Sequence, residues 1–406
     1  MNKKLIALAL ASAFAAPLAM AADGVTIYGS MGVSMDSVDS DAPSGAIVGN
    51  ERRTRISSNN SYIGFKGTED LNSDLSAIWQ FEYAVQMDQQ QFNQAFQAST
   101  DAQGGNSLRN TFVGLSSKRM GALTLGTQES PLKTSTAPLA VFGDTLADYR
   151  SVFTRLSTRA DNSVLYTSPS LGGLTIRTMY GARNEAGNGG QSDPRMWAAS
   201  LVYSGGPFYA TVAYEDNRLV SAAAGTVNGT YSCPNGSIVT AATLGAATTA
   251  CGATATALIA PTAFAADTTS HAKAWRAGLG YTLMGNTKFG LAYERNDAED
   301  AAGNNANDGH AWYGSVSHTI GNVTLAAGYT DRSDTGRGLD DGAKQYTGGV
   351  SYAFSKRTSV YGLYTKVKND SQGTNALGTA TGIATVTPSI AGGDASGFSL
   401  GMVHKF

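Results

Sequence analysis

The feature that most constrains this chain is a period of two. Trp197, Ala199, Leu201 and Tyr203 fall at alternate positions, and so do Phe208, Ala210, Val212 and Tyr214. The same spacing recurs in Trp275-Ala277-Leu279-Tyr281, in Val323-Leu325-Ala327-Tyr329 and in Phe398-Leu400-Met402, continued by His404 and Phe406. Strand side chains point alternately to opposite faces, so each stripe is one apolar face of an extended segment of roughly ten residues. The opposite faces carry Arg177, Glu215, Arg276, Lys288 and Glu294. On this pattern about sixteen strands are expected, near 25–37, 50–67, 73–88, 107–116, 121–127, 159–168, 173–183, 194–204, 207–217, 271–283, 286–297, 309–319, 322–332, 343–354, 357–368 and 394–406.

Which solvent meets each face follows from the ends of the stripes and from the connections. Many stripes close on an aromatic residue (Tyr180, Tyr203, Tyr214, Tyr281, Tyr293, Tyr329), as an interfacial girdle requires. Short turns such as Ser204-Gly-Gly-Pro207, Met284-Gly-Asn286 and Ile320-Gly-Asn322 trade places with long polar segments at 184–194, 218–270, 298–308 and 369–393. That asymmetry is typical of up-and-down transmembrane barrels. A secreted β-sandwich or propeller with Tyr-rich surface strands is the alternative, but it would bury the apolar face in a core and gives no reason for the stripes to end repeatedly in aromatics. The expected fold is therefore all-β, an antiparallel transmembrane barrel closed by pairing the last strand with the first.

The N-terminal residues fit this destination. Lys3 and Lys4 precede an uncharged apolar run from Leu5 to Ala16, and Ala19-Met-Ala21 supplies small residues for cleavage, so residues 1–21 are expected to be a signal peptide. Residues 22–406 would then form one barrel domain. Mature net charge would be about −4, which gives no reason to expect nucleic acid as a partner. No apolar run beyond the leader is long enough for a membrane-spanning helix.

Several stretches resemble the Gram-negative general porins, in particular those of Neisseria- and Burkholderia-like bacteria. They are Gly24-Val-Thr-Ile-Tyr-Gly29, Ser61-Tyr-Ile-Gly-Phe-Lys-Gly-Thr-Glu-Asp-Leu71 with Ile78-Trp-Gln-Phe-Glu82, Arg109-Asn-Thr-Phe-Val-Gly-Leu115 with Gly121-Ala-Leu-Thr-Leu-Gly126, Asn162-Ser-Val-Leu-Tyr-Thr-Ser-Pro169 and Val403-His-Lys-Phe406. The resemblance implies a sixteen-stranded, homotrimeric barrel in outer-membrane lipid. Its water-filled pore would be narrowed by an inward-folded third external loop, and it would pass ions and small hydrophilic solutes. No cofactor and no enzymatic activity are expected. A substrate-specific channel and a barrel acting as adhesin or receptor are the alternative functions.

The loop that the resemblance makes the constriction is about 127–158, which has no sustained alternation and contains Glu129, Asp144 and Asp148, and also Lys133, Arg150 and Arg155. On the facing wall, parity and motif place Ser30, Tyr62, Lys66, Arg109, Arg159, Asp161 and Arg177 towards the lumen. The family usually has arginine where Tyr62 stands, and often a carboxylate where Val141 precedes Phe142-Gly-Asp144. A weakly charge-selective eyelet follows as a hypothesis, and arginine at Tyr62 should shift reversal potential towards anions. No such shift would place Tyr62 outside the constriction.

The large external loop, about 218–270, has no charged residue between 219 and 266 and holds both cysteines, Cys233 and Cys251. Folding through an oxidising periplasm predicts a disulfide between them, worth about 3 kcal/mol on the chain-entropy model. His271, His310, His318 and His404 lack metal-ligand spacing, so no metal site is expected.

Overall fold

The computed structural model describes residues 24–40, 51–88, 108–154, 156, 159–182, 195–218, short pieces between 226 and 263, 269–300, 308–336, 339–378, 386–388 and 391–406. The expected leader and Arg155 lie outside the described residues.

Strands β1 (Thr26–Ser40), β2 (Glu51–Ser58), β3 (Tyr62–Asp70), β4 (Leu75–Ala84), β5 (Thr111–Ser117), β6 (Gly121–Glu129), β7 (Arg159–Thr167), β8 (Leu174–Ala182), β9 (Arg195–Gly205) and β10 (Phe208–Asn217) form the first part of the main sheet. Five short strands, β11 (Thr226–Val227), β12 (Gly229–Ser232), β13 (Ile238–Ala241), β14 (Thr256–Ile259) and β15 (Thr262–Ala263), lie in the large external loop. The sheet resumes with β16 (Thr269–Leu283), β17 (Thr287–Asp300), β18 (Gly309–Ile320), β19 (Val323–Arg332), β20 (Ala343–Ala353), β21 (Thr358–Asn369) and β22 (Ala395–Lys405).

The main sheet joins seventeen of these strands. Both β2 and β3 pair with β1, so they are one barrel strand interrupted at Asn59–Ser61. Sixteen barrel strands result, each antiparallel to its neighbours. The segment 50–67, expected as one uninterrupted strand, breaks because Asn60 adopts a left-handed φ of 51°, which Asn tolerates better than most residues. Ser61 then repairs the break by donating to Gly32 O at 2.9 Å and accepting from Gly32 N at 2.9 Å.

Closure is made by β22 on β1, in a register that runs from Ser30↔Lys405 to Ser40↔Ala395. Gly29 and Phe406 extend it by exchanging backbone hydrogen bonds at 3.1 Å. Inside the seam the wall needs glycine. A Cβ at Gly401 would lie 2.2 Å from the Tyr361 ring, which fills that space and whose hydroxyl accepts from Asn59 Nδ2 at 2.8 Å.

The outer face is apolar, with Ile27, Val113, Leu125, Val212, Leu279, Leu325 and Leu400 each about half exposed or more. One row of aromatics runs along it. Tyr180–Trp197, Tyr214–Trp275, Tyr293–Trp312, Tyr329–Tyr346 and Tyr364–Phe398 pair at 4.4–5.2 Å between ring centroids, covering the ten strands from β8 to β22. The row stops where Phe398 meets Ser37 of β1 and where Tyr180 meets Val164 of β7.

Cys233 and Cys251 are disulfide-bonded beside a three-stranded sheet in the order β13-β12-β14. The external loop thus has its own small scaffold.

Because a branched side chain cannot coexist with the Tyr361 ring, Gly401→Val should destabilise the barrel by about 1–3 kcal/mol. A lowered urea-unfolding midpoint would show this, and an unchanged midpoint would mean the seam has room to spare.

Candidate functional site

The segment between β6 and β7 is built to lie against protein. It starts with helix α1 (Pro131–Ser135), whose first turn is opened by Pro131 and capped by Ser130 accepting from Lys133 N at 3.1 Å. A 3₁₀ turn over Ala137–Leu139 follows, then helix α2 (Arg150–Phe153). Leu132, Leu146, Val152 and Phe153 are fully buried.

Their cover is the inner face of the second half of the barrel. Tyr313 of β18 stacks on Tyr149 at 3.9 Å and accepts from Val141 N at 3.0 Å. Ser315 donates to Leu139 O at 2.8 Å. Further round, Gln345 of β20 donates to Ala147 O at 3.3 Å, and Ala147 packs with Tyr361 and Leu363 of β21. Leu146 and Val152 also pack with Val38 at the far end of β1, so the segment follows the wall from β8 round to that point and leaves the rest of the β1–β7 side uncovered.

Arg276 and Glu294 hold both ends of this segment. Arg276, 1% exposed, donates from Nε to Glu294 at 2.9 Å, from Nη1 to Leu132 O at 2.9 Å and from Nη2 to Leu156 O at 3.2 Å. Its guanidinium also lies over the Phe153 ring at 5.4 Å. A buried charge pair is tolerable only when the remaining donors and acceptors are satisfied, and here the loop carbonyls do that. Alternation marks both residues as inner-wall charges. It gives no sign that they clamp a loop more than a hundred residues upstream.

The expected wall residues converge across the uncovered side. Ser30 pairs with Tyr62 in register and both face inwards. The Arg109 guanidinium lies 4.7 Å over the Tyr62 ring, 3.5 Å from Glu82, and donates to Asn60. Tyr28, whose hydroxyl donates to Glu82 at 2.8 Å, lies under the Lys66 ammonium at 4.9 Å. Glu129 bridges Arg159 at 2.8 Å and Lys133 at 3.2 Å. Burial lowers the pKa of Lys133, against the pull of the Glu129 carboxylate. Arg177 reaches the segment itself through Thr134 Oγ1 at 2.7 Å.

Asp161 is the exception. Gly126 faces Ser163 while Gln128 faces Ala160, so a bulge inserts one extra residue into β7. Ala160 and Ser163 are both buried, and between them the exposed Asp161 accepts from Thr127 at 3.1 Å, outside the Glu129 cluster. Simple parity across 159–163 fails there.

At the far end of the segment, Arg150 binds Asp144 at 2.9 Å and accepts charge compensation from the fully buried Asp148 through Nε at 2.9 Å. Burial works against the Arg150 charge, but the two carboxylates outweigh it and hold its pKa above the ordinary value. Asp144, with half its side chain exposed, is the acidic group this triad offers to solvent. Sequence reasoning did not single out Tyr28 or Asn60 as partners in this arrangement; the Tyr-Ile-Gly-Phe-Lys and Trp-Gln-Phe-Glu stretches contain their neighbours but not their contacts.

The Gram-negative porin family model matches residues 7–267 and 240–372. The major outer membrane protein P.IB of Neisseria meningitidis serogroup B is 36% identical over 211 residues, 52% of this chain and 57% of that protein. Its Neisseria gonorrhoeae counterpart is 31% identical over 219 residues, 52% of this chain and 56% of that protein. The match thus spans little more than half the length of these relatives. Among solved structures, the anion-selective porin from Comamonas acidovorans has a TM-score of 0.67 at 20% identity, covering 95% of this chain and 100% of that one. OmpT of Vibrio cholerae in its trimer form has a TM-score of 0.61 at 15% identity, covering 95% and 100%. These two likenesses concern the fold. With the family model matched along most of its length and the barrel closed, the chain belongs to the Gram-negative porins, proteins of the bacterial outer membrane.

Proposed function

We propose that this porin is a general diffusion channel, passing ions and small hydrophilic solutes down their gradients. The observation that carries the reading is the one-sided packing of residues 130–156. They line the wall from β8 to β22 and leave a passage along β1–β7 edged by Lys66, Arg109, Arg159 and Lys133, with Asp144 at the tip of the segment. Opposed charges across a narrow aqueous passage orient water and dipolar solutes. Glu82 and Glu129 neutralise part of the basic side, so the field is modest. Purified protein in a planar bilayer should give ohmic current steps. A silent bilayer, with the barrel shown to be folded, would overturn the reading.

The basic side should set the sign of whatever preference the channel has. Arg109→Glu is expected to shift the reversal potential in a salt gradient towards cations by about 10 mV or more. An unchanged potential would remove Arg109 from the passage.

Arg276 keeps the segment in place. Arg276→Met takes the guanidinium from a buried carboxylate and from two loop carbonyls, which should cost about 3–5 kcal/mol and raise open-channel current noise. Glu294→Gln, which leaves a neutral acceptor at that place, should do less of both. Equal noise in all three proteins would show that the clamp does not position the segment.

The porin is further proposed to be a homotrimer whose subunits meet through β1–β7. The aromatic row that suits lipid headgroups covers every barrel strand from β8 to β22 and stops at both borders of that side. Cysteine at Val113, on the outward face of β5, should cross-link between subunits in native membranes, and cysteine at Leu325 on β19 should not. The reverse pattern would move the contact to the other side.

A further inference from the structure

The external loop between β21 and β22 carries two apolar residues that a water-exposed connection has no use for. Leu377 is 0% and Val386 7% exposed, and they exchange backbone hydrogen bonds at 3.1 and 3.0 Å. Their cover is Val38 of β1, Ala343, Val367 and Ala395 of the inner wall, together with Leu146 and Val152 of the segment between β6 and β7. One apolar cluster therefore joins the last external loop to the tip of the segment that narrows the passage. Gly397 of β22 marks how close the approach is, since a Cβ there would lie 2.7 Å from Leu146 Cδ2.

The loop is fixed from its other side by a polar clamp. Asn375 N donates to Asn369 Oδ1 at 2.9 Å, and Asn369 Nδ2 returns to Asn375 O at 2.9 Å and to Gly393 O at 2.8 Å. Gln372 N and Ser371 N bind Asp340 of the preceding loop at 2.7 and 3.2 Å. The Asn375 side chain adds its own bonds, accepting from Arg332 at the end of β19 and donating from Nδ2 to Asn369 Oδ1 at 3.0 Å and to Asp341 O at 3.4 Å. Two external loops and two strand ends thus hold Leu377 down onto Leu146.

We propose that residues 371–378 and 386–388 are a second constriction element: Leu377 and Val386 position the tip of the 130–156 segment from the extracellular side, so that the width of the passage is set jointly by both loops. The proposal rests on the channel reading above. Burial of two apolar residues supplies the holding force, and the Asn369–Asn375 clamp supplies the placement. Exposed Ser371, Gln372 and Thr374 remain at the rim, where displacement of this loop from outside would be felt at Leu146.

The test compares Leu377→Ser, Leu377→Met and Asn375→Ala with the parent protein in planar bilayers and in liposome swelling with sugars of increasing size. Leu377→Ser and Asn375→Ala should raise the conductance step by about 1.5-fold or add larger substates, and should admit larger sugars. Leu377→Met, which keeps the apolar volume, should behave as the parent does. The urea-unfolding midpoint separates this from a general loss of stability, because Asn375 lies outside the apolar cluster and its change should lower the midpoint far less than Leu377→Ser does while moving conductance in the same direction. Parental conductance and size cut-off in both Leu377→Ser and Asn375→Ala would overturn the proposal. A parent protein without current would instead overturn the channel reading itself.

Discussion

A lipid bilayer offers no hydrogen bonds, and everything in this molecule follows from that lack. A strand in the membrane must find partners for each N–H and C=O along both edges, which only a closed sheet supplies to all strands at once. The ladder between β22 and β1 is therefore the contact on which the others depend. It fixes the inward or outward direction of every residue around the ring, and so decides which side chains meet lipid, which meet the lumen and which can reach the inner segment. Gly29, Gly401 and the Tyr361 ring are local solutions to that closure.

Inside the ring the balance of forces changes. Water is available, so charged residues can face inwards, but the segment at 130–156 would lose its shape if it were held only by solvated contacts. It is held by burial of Leu132, Leu146, Val152 and Phe153, by the stack of Tyr149 on Tyr313 and by the Arg276–Glu294 pair. The charges on the β1–β7 side are treated differently. Lys66 and Arg109 lie on the rings of Tyr28 and Tyr62, platforms that restrict a cation without neutralising it. Tyr62, where the resembled pattern would have arginine, thus supports a charge instead of supplying one.

Much of the barrel was legible because strand alternation is a local signal and sixteen repetitions of it leave little freedom. What escaped depended on single backbone angles or on contacts distant in sequence. Asn60 divides one expected strand without disturbing the apolar pattern on either side. The bulge at Asp161 and Asn162 shifts parity by one, which nothing in the order of residues announces. The expected constriction residues Glu129, Asp144, Asp148 and Arg150 do belong to two compact charge clusters, yet their partners, Lys133 excepted, could not be read from spacing alone. The clamp is the extreme case, because Arg276 meets Leu132 across 144 positions.

That separation orders the folding of the protein in time. Until the barrel wall forms, residues 130–156 have no cover, because the guanidinium that holds Leu132 and Leu156 belongs to β16. Tyr313, Gln345 and the cover over Leu146 belong to strands further along the sheet still. The docking of this segment can then be only among the last features to form, completed as the ring closes around a stretch of chain that had nowhere earlier to pack.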